Sequence, residues 1–277
     1  MVGFETRLPR PTAPVRDRHG ESRGSHSPAP VRRRCRDPPG RSRLRPPGVC
    51  RGAPDGQTRS MWLLRTPGVY RAQEDSDLLI ESLGRERLRE GDEVLDLGTG
   101  TGVVALAAAG TGARVTAIDV SRRALATAWI NGALNGRHIH VLQGDLLEPV
   151  RGRRFDLIAS NPPYVPAAEA TPPSHGPARA WDAGPDGRAL LDRICRTAPG
   201  SLVPGGVLLL VHSSLCRVAE SLRALRRAGL RTAVIARRRI PFGPVMSARA
   251  DWFEERGLVA PGVRHEELVV IRGVRPE

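Results

Sequence analysis

The sequence predicts an α/β fold built on a doubly wound, mostly parallel sheet of seven strands. From Met61 onward short apolar runs alternate with helical patterns, and strands separated by helices of ten or more residues form parallel β-α-β units. A glycine-rich turn follows the first clear strand, and polar residues follow the next three. Because ligands in such open sheets bind beyond the carboxyl ends of the strands, these positions predict one shared site.

Residues 1–60 differ in composition from the rest of the chain. They hold ten prolines and 14 arginines against five acidic residues, with almost no apolar periodicity. Such a segment buries too little apolar surface to offset the entropy lost on ordering. We therefore expect a disordered basic extension over 1–60, with Met61 a candidate natural start, and a single domain over 61–277. A basic tail can also contact nucleic acid without sequence preference, and that alternative stays open.

The first elements of the domain follow from their apolar period. Leucines recur at helical spacing in 75–88, which predicts a helix. The run EVLDL at 93–97 is a short buried strand, and the alanine-rich stretch 103–109 that follows the glycines is a helix. A second strand is expected at 113–118, and Ser121 is a plausible N-cap for a helix that ends at Leu134.

The later elements complete the alternation. Two further strands are expected at 139–142 and 155–159. The remaining predictions are a helix at 186–198, a strand at 206–211 entered through the turn Pro204-Gly205, a helix at 215–228 ended by Gly229, and strands at 231–240 and 268–271.

The glycine turn reads Asp96-Leu97-Gly98-Thr99-Gly100-Thr101-Gly102. Glycines let the backbone turn sharply and approach a ligand closely, and the helix that follows offers unpaired N–H groups. The spacing is GxGxG rather than the GxGxxG of dinucleotide-binding proteins, because Val103 stands where the last glycine would be. The turn alone indicates only a nucleotide-type ligand.

Asp119 and Asp145 follow the next two strands. A carboxylate at Asp119 can accept both hydroxyls of a ribose, and a carboxylate at Asp145 can accept the amino group of an adenine. Each also suits a structural role, Asp119 as a cap of the helix near Ser121 and Asp145 as a turn residue. Together with Asp96, the three acids outline a slot of the shape of adenosine.

The fourth strand ends in Asn161-Pro162-Pro163-Tyr164. Proline has a fixed φ and no N–H, and a residue before proline is extended, so Asn161 is rigidly placed. The Asn161 side-chain oxygen and the Pro162 carbonyl oxygen then form a pair of acceptors that suits an –NH2 group. Tyr164 offers a flat face to a planar substrate. The structural alternative is a turn stiffened by the two prolines.

A pair of acceptors makes chemical sense for a planar amide or amino group. Its nitrogen is a poor nucleophile because its lone pair is delocalised. Acceptors on both hydrogens raise electron density at nitrogen and orient it toward an incoming methyl group, and positioning of reactants contributes up to about 7–11 kcal/mol. No general base is needed before attack, in keeping with the absence of histidine from the motif. The motif therefore predicts N-methylation.

The runs VLDLGTGTG, AIDVS, GDLL and NPPY, in this order and spacing, resemble class I S-adenosylmethionine-dependent methyltransferases. More narrowly, residues 68–271 resemble the HemK-like protein glutamine-N5 methyltransferases, which modify translation release factors. The resemblance implies a Rossmann-like fold, S-adenosylmethionine as cofactor and a release factor as substrate. It implies cofactor contacts from Ser76, Asp96, Gly98, Gly100, Asp119, Asp145, Leu146 and Asn161. It implies that Asn161, Pro162, Pro163 and Tyr164 hold the target amide, with Asn161, Pro162 and Tyr164 as catalytic residues.

Two segments refine this resemblance. Residues 68–79 are similar to the segment that covers the cofactor in short members of the family, which lack the N-terminal helical domain and in some cases need a small activating partner. Arg71, Ala72 and Gln73 stand where that segment usually carries a proline and an acid. The proline-rich loop 167–180 is expected to form part of the substrate mouth.

Three other functions stay open on the residues alone. A nucleic-acid amino methyltransferase acting on adenine N6 or guanine N2 also suits NPPY, although aromatic residues for base stacking are few. A non-catalytic nucleotide-binding domain predicts loss of the acids or of Asn161, and all are present. An NAD-dependent oxidoreductase is disfavoured by the GxGxG spacing and by the lack of any lysine.

Composition also bears on metals and location. The cysteines at 35, 50, 195 and 216 show no CxxC pair and no histidine at metal-ligand spacing, so we expect ordinary thiols, a reducing compartment and no metal. No apolar stretch of about 18 residues exists, and the N-terminus has no apolar core of a signal peptide. We therefore expect a cytoplasmic protein without a membrane span.

Overall fold

The computed structural model of the chain describes residues 49–51, 61–64, 66, 68–69 and 73–277. Apart from Val49–Arg51, the predicted extension over 1–60 lies outside the described residues, and the boundary at residue 61 stays a prediction. Arg71 and Ala72, in the segment expected to cover the cofactor, also lie outside them.

The described strands form two sheets. A two-stranded sheet pairs β1 with β2 in antiparallel fashion, and a seven-stranded sheet has the order β5-β4-β3-β6-β7-β9-β8. Strands β3 to β7 run parallel, and β9 is antiparallel to both β7 and β8. The strands are β1 Val49–Arg51, β2 Trp62–Leu64, β3 Glu93–Leu97, β4 Arg114–Asp119, β5 Ile139–Gln143, β6 Phe155–Ser160, β7 Leu202–Ser213, β8 Arg231–Pro241 and β9 His265–Val274.

Helices cover the sheet in two groups, as the prediction of a doubly wound fold requires. The first three contact one another in series, and the fourth contacts the fifth. The helices are α1 Glu74–Leu83, α2 Val103–Ala109, α3 Arg122–Leu134, α4 Ala189–Thr197, α5 Val218–Arg227, α6 Pro244–Ala248 and α7 Ala250–Glu255. Among the described residues, no helix is long and apolar enough to cross a lipid bilayer.

The order of the strands places a crevice at one point of the sheet edge. The chain steps outward from β3 to β4 and β5, then returns past β3 to form β6 on its other side. The central strands are buried on both faces, with Leu95, Ile158 and Leu209 fully inaccessible, which explains why their sequences are continuous apolar runs. The reversal between β3 and β6 is the position where ligands bind in such sheets.

The chain before α1 lies along α3. Asn135 accepts a hydrogen bond from the N–H of Trp62 at 2.9 Å, and Asn131 accepts one from the N–H of Leu64 at 2.6 Å. Both amides also donate back, to the carbonyl oxygens of the same two residues. Two asparagines one helical turn apart therefore bind β2 through its backbone.

Several predicted boundaries were wrong, and glycines explain two of them. The helix expected to reach Leu88 ends at Leu83, where Gly84 forms the cap. The helix expected from Asp186 begins at Ala189, because Gly184 and Gly187 have φ of +79° and +68° and form a turn. The strand expected from Gly206 begins at Leu202, with an irregular register against β6. The short helices α6 and α7 were not predicted.

We predict that Gly187→Ala lowers the free energy of unfolding more than Gly136→Ala does. Both glycines have positive φ, at +68° and +62°, so both variants incur backbone strain of about 1 kcal/mol or more. A Cβ at Gly187 would also overlap the Tyr164 carbonyl oxygen and lie 2.9 Å from Cys216 Sγ, whereas none of the described atoms lies within 4 Å at Gly136. Overpacking adds about 1–3 kcal/mol. Urea titrations measure both losses, and equal losses would contradict the tight contact.

Candidate active site

A cavity of about 530 Å³ opens at the carboxyl ends of β3, β4, β5 and β6, a volume typical of small-molecule sites. Its wall includes most of the residues predicted from sequence, namely Gly98, Gly100, Asp119, Asp145, Leu146, Asn161, Pro162, Pro163 and Tyr164. Ser76 and Asp96 are instead buried behind the described wall, at 3% and 2% exposed. The fold thus brings the predicted residues together, in two layers.

The glycine turn is shaped by left-handed backbone and by close packing. Gly98, Gly100 and Gly102 have φ of +72°, +55° and +81°, which only glycine adopts readily. A Cβ at Gly102 would lie 2.8 Å from the Cβ of Ala128 on α3. Glycine at the three positions therefore favours this backbone conformation, and at Gly102 it also allows the turn to pack directly against α3.

Asp96 organises the turn from behind. Its Oδ2 accepts hydrogen bonds from Thr99 Oγ1 at 2.6 Å and from the N–H of Ala105 at 3.1 Å. Burial raises the pKa of Asp96 to about 6, although both hydrogen bonds act in the opposite direction. The predicted direct contact of Asp96 with a cofactor stays a prediction, while its structural role is visible in these bonds.

Asp119 faces the cavity from the end of β4. Its Oδ2 accepts from the N–H of Gly100 at 3.1 Å, and its Oδ1 accepts from the N–H of Ser121 at 2.8 Å. Burial raises the pKa of Asp119, and these hydrogen bonds and the charge of Arg179 oppose the shift. The capping role considered for Asp119 belongs to Ser121, whose side chain accepts from the N–H of Ala124.

The third acid, Asp145, pairs with an arginine that the sequence did not indicate. Arg193 Nη2 on α4 lies 2.8 Å from Asp145 Oδ2, and both side chains are about 40% exposed. Arg193 and Arg179 both line the cavity. They come from the loop and the helix that follow NPPY, and isolated arginines in an arginine-rich chain carry no sequence signal. Leu146, beside this pair, has a φ of +50°.

The NPPY corner is tied to its surroundings at both ends. Asn161 Nδ2 donates to Ser76 Oγ at 3.1 Å, and the hydroxyl of Tyr164 donates to Asp75 Oδ2 at 3.1 Å. Cys216 Sγ donates to the carbonyl oxygen of Tyr164 at 3.0 Å. Tyr164 is only 9% exposed, so the predicted flat face is limited to the part of the ring that lines the cavity.

The chemistry of this donor set is that of a polar organic ligand. Within the described residues, no group of three or more histidine, cysteine or acidic side chains could hold a metal ion. Asp119 and Asp145 lie at the ends of β4 and β5, on one side of β3, whereas Asn161 follows β6 on the other side of β3. The site therefore joins a slot that suits an adenosine with a corner that suits an amide.

Comparisons with known proteins identify methyltransferases that are similar to this chain. A family model described as "Methyltransferase small domain" matches residues 60–175. A putative protein N5-glutamine methyltransferase of Methanocaldococcus jannaschii is 36% identical over 185 residues, which cover 66% of this chain and 92% of the relative. The release factor glutamine methyltransferase of Bordetella pertussis is 41% identical over 180 residues, 61% of this chain and 66% of the relative. The chain spans 53% of the Geobacter sulfurreducens enzyme of the same name.

Solved structures give the same fold. The Mtq2–Trm112 complex of E. cuniculi, described as responsible for methylation of the eRF1 translation termination factor, contains a chain with a TM-score of 0.54 at 26% identity; the match covers 75% of this chain and 99% of that one. The T. thermophilus 16S rRNA N2 G1207 methyltransferase in complex with AdoMet and guanosine has a TM-score of 0.52 at 21% identity, over 82% of this chain and 50% of that one. This second likeness concerns the fold alone.

Ionisation of Asp96 is expected to destabilise the folded protein as pH rises from about 4 to above 6. The folded pKa of about 6 lies above the ordinary value of 3.8, so the folded state binds this proton more tightly. Below pH 3.8 this tighter binding adds its full contribution to the free energy of unfolding, about 1.4 kcal/mol for each unit by which the two pKa values differ. The contribution is lost as the pH rises through about 6.

The test compares the wild type with Asp96→Asn by urea unfolding at several pH values between 4 and 7. The wild type should lose stability relative to the variant as pH rises. A difference between the two proteins that does not change with pH would contradict the raised pKa.

Proposed function

Because the chain belongs to the protein N5-glutamine methyltransferase family, we propose that it methylates the side-chain amide of a glutamine in a translation release factor. The enzyme class follows from the family, and the substrate is proposed from the relatives named for release factors. The observation that carries the proposal is the shared cavity, whose lining includes Asn161 and Pro162 as well as Asp119 and Asp145.

The residues fit S-adenosylmethionine, which when bound supplies an electrophilic methyl group. Asp119 and Asp145 would hold its ribose and adenine, since each carboxylate lines the cavity. The Asp119 carboxylate is already fixed by the N–H groups of Gly100 and Ser121, so its orientation needs no change on binding. The left-handed glycines at 98 and 100 leave the backbone without side chains on that wall.

Asn161 and Pro162 orient the target amide. The Nδ2 group of Asn161 donates to Ser76, so the other end of the carboxamide, Oδ1, accepts from the target amide. The carbonyl oxygen of Pro162 is the second acceptor, and the following residue, Pro163, has no N–H. Two acceptors suit the two hydrogens of a glutamine –NH2 and fix the plane of the amide, so that the nitrogen lone pair, which is perpendicular to that plane, is directed at the methyl group. The proton becomes acidic only after the nitrogen gains a fourth bond, so these residues need not act as a base beforehand.

The loop between β6 and α4 supports a polypeptide substrate. Pro172, Pro173, Arg179 and Trp181 line the cavity, and Asp182 anchors the loop through a bidentate ion pair with Arg249. We propose that this loop forms the mouth that admits the glutamine. We also propose that residues 61–277 constitute the transferase domain and that the protein works in the cytoplasm, where release factors act.

Asn161→Ala is expected to lower kcat for methyl transfer by about 100-fold or more, because positioning of the nitrogen is lost, and to leave the Kd for S-adenosylmethionine within about twofold. Asp119→Ala should do the reverse and raise that Kd by about 10–100-fold, the range for hydrogen bonds to a charged group. Tritium transfer to a purified release factor, to RNA and to DNA measures turnover, and calorimetry measures Kd.

Two outcomes would contradict the proposal. Label that enters only nucleic acid would replace the protein substrate with a base amino group. Loss of cofactor binding in Asn161→Ala, of the same size as in Asp119→Ala, would show that the two roles were wrongly assigned.

We further propose that a small activating protein binds the exposed face of α3. The related Mtq2 was solved as a complex with Trm112. On α3 of this chain, Trp129, Ile130 and Leu134 are large apolar residues at 59%, 36% and 49% exposed, beside the edge strand β5, and exposed apolar surface of this kind marks interaction sites.

Trp129→Ser combined with Leu134→Ser should abolish co-purification of a Trm112-type protein expressed with the chain. The control is the exposed pair Arg223→Ser and Arg227→Ser on α5. Equal recovery of the partner with both double variants would place the interface elsewhere or remove the partner.

A further inference from the structure

We propose that the first turn of α1 is a clamp that sets the orientation of the Asn161 carboxamide, with Ser76 and Asp75 as positioning residues. The inference rests on the proposed function, because it concerns how Asn161 presents an acceptor to the target amide. It assigns Ser76 a role different from the cofactor contact that the family resemblance implies.

The first arm of the clamp is the contact between Ser76 and Asn161. Asn161 Nδ2 lies 3.1 Å from Ser76 Oγ, across 85 residues of sequence. The two ends of a carboxamide have nearly the same shape, so packing alone does not decide whether oxygen or nitrogen faces a substrate. Because the Ser76 hydroxyl accepts from the nitrogen end in this structure, the hydrogen bond holds the carboxamide in the orientation that leaves Oδ1 for the target –NH2. If the carboxamide were turned over, its own –NH2 group would face the –NH2 group of the target, and these two donors could not form a hydrogen bond with each other.

The second contact of the clamp, between Asp75 and Tyr164, is at the other end of NPPY. Tyr164 donates its hydroxyl hydrogen to Asp75 Oδ2 at 3.1 Å, and the other oxygen of Asp75 accepts from the N–H of Ser76 at 2.6 Å. Asp75 and Tyr164 are 3% and 9% exposed. A hydrogen bond to a buried carboxylate is strong, so two adjacent residues of α1 bind the first and last residues of NPPY.

The rest of α1 packs in the core and holds this turn in place. Behind the turn, Leu78, Leu79 and Leu83 of α1 are buried in the core. Asp75 of the same turn lines the cavity, as do Gly68 and Val69, which precede the helix. The element that fixes the carboxamide is therefore continuous in sequence with a segment that lines the cavity, and Ser76 itself is buried behind the described wall rather than in it.

The matched pair of variants is Ser76→Ala and Ser82→Ala. Both remove one buried hydroxyl from α1, but Ser82 Oγ donates to the carbonyl oxygen of Leu78 within the helix. Ser76→Ala should lower kcat about tenfold, the upper range for one hydrogen bond, with the Kd for S-adenosylmethionine within about twofold of wild type. Ser82→Ala should leave both constants unchanged. Ser76→Thr keeps the hydroxyl and should restore most of the activity.

A second readout does not depend on turnover. The side-chain amide signals of Asn161 in a ¹H–¹⁵N spectrum are identified by their loss in Asn161→Ala. They should shift in Ser76→Ala and stay in place in Ser82→Ala. This readout still tests the clamp if the wild type methylates no release factor, which would remove the proposed substrate alone.

Three results would overturn the inference. A tenfold rise in the Kd for S-adenosylmethionine with unchanged kcat in Ser76→Ala would make Ser76 a cofactor contact. Unchanged kcat, Kd and Asn161 signals would show that the hydroxyl does not position the carboxamide. An equal loss in Ser82→Ala would reduce the effect to general destabilisation of α1.

Discussion

The reversal of the chain between β3 and β6 is the constraint on which the site depends. Parallel strands that step outward on one side and then return to the other leave their carboxyl ends around a single crevice. The glycine turn, Asp119, Asp145 and NPPY succeed one another at intervals of 16 to 26 residues in sequence, and each ends or follows one of four strands, β3, β4, β5 and β6. Neither the slot that suits the adenosine nor the corner that suits the amide could form on one strand alone.

Burial governs the chemistry of that crevice. Asp96 and Asp119 both lose solvation, which raises their pKa values, and backbone N–H groups partly offset the cost. The same N–H groups fix the carboxylates in place before any ligand arrives. At the opposite wall, prolines remove competing donors and the turn of α1 limits rotation of Asn161. The polar groups of the site are therefore preorganised. The free energy needed to orient them is supplied during folding, so it does not add to the activation free energy of methyl transfer.

Local pattern predicted the elements well and their contacts poorly. The strand Glu93–Leu97 and the helix Val103–Ala109 agree with the sequence prediction at both ends, because apolar period and flanking glycines act over a few residues. The helix expected to reach Leu88 ends at Leu83, with Gly84 as its cap, and the positive φ of Gly187 delays the start of α4. Both errors arise where a local turn at a glycine overrides helical spacing. The contacts of Asp75 with Tyr164 and of Arg193 with Asp145 span 89 and 48 residues, and no period in the sequence encodes such pairs.

The central claim is that Asn161 Oδ1 and the Pro162 carbonyl oxygen together bind the –NH2 group that receives the methyl. The most direct measurement is a crystal structure with S-adenosylhomocysteine and a glutamine peptide from a release factor. We predict that the amide nitrogen lies within about 3.2 Å of both oxygens, with the sulfur of the spent cofactor directed at that nitrogen. An amide bound elsewhere, a sulfur directed away from this corner, or a corner filled by the protein's own side chains would contradict the account.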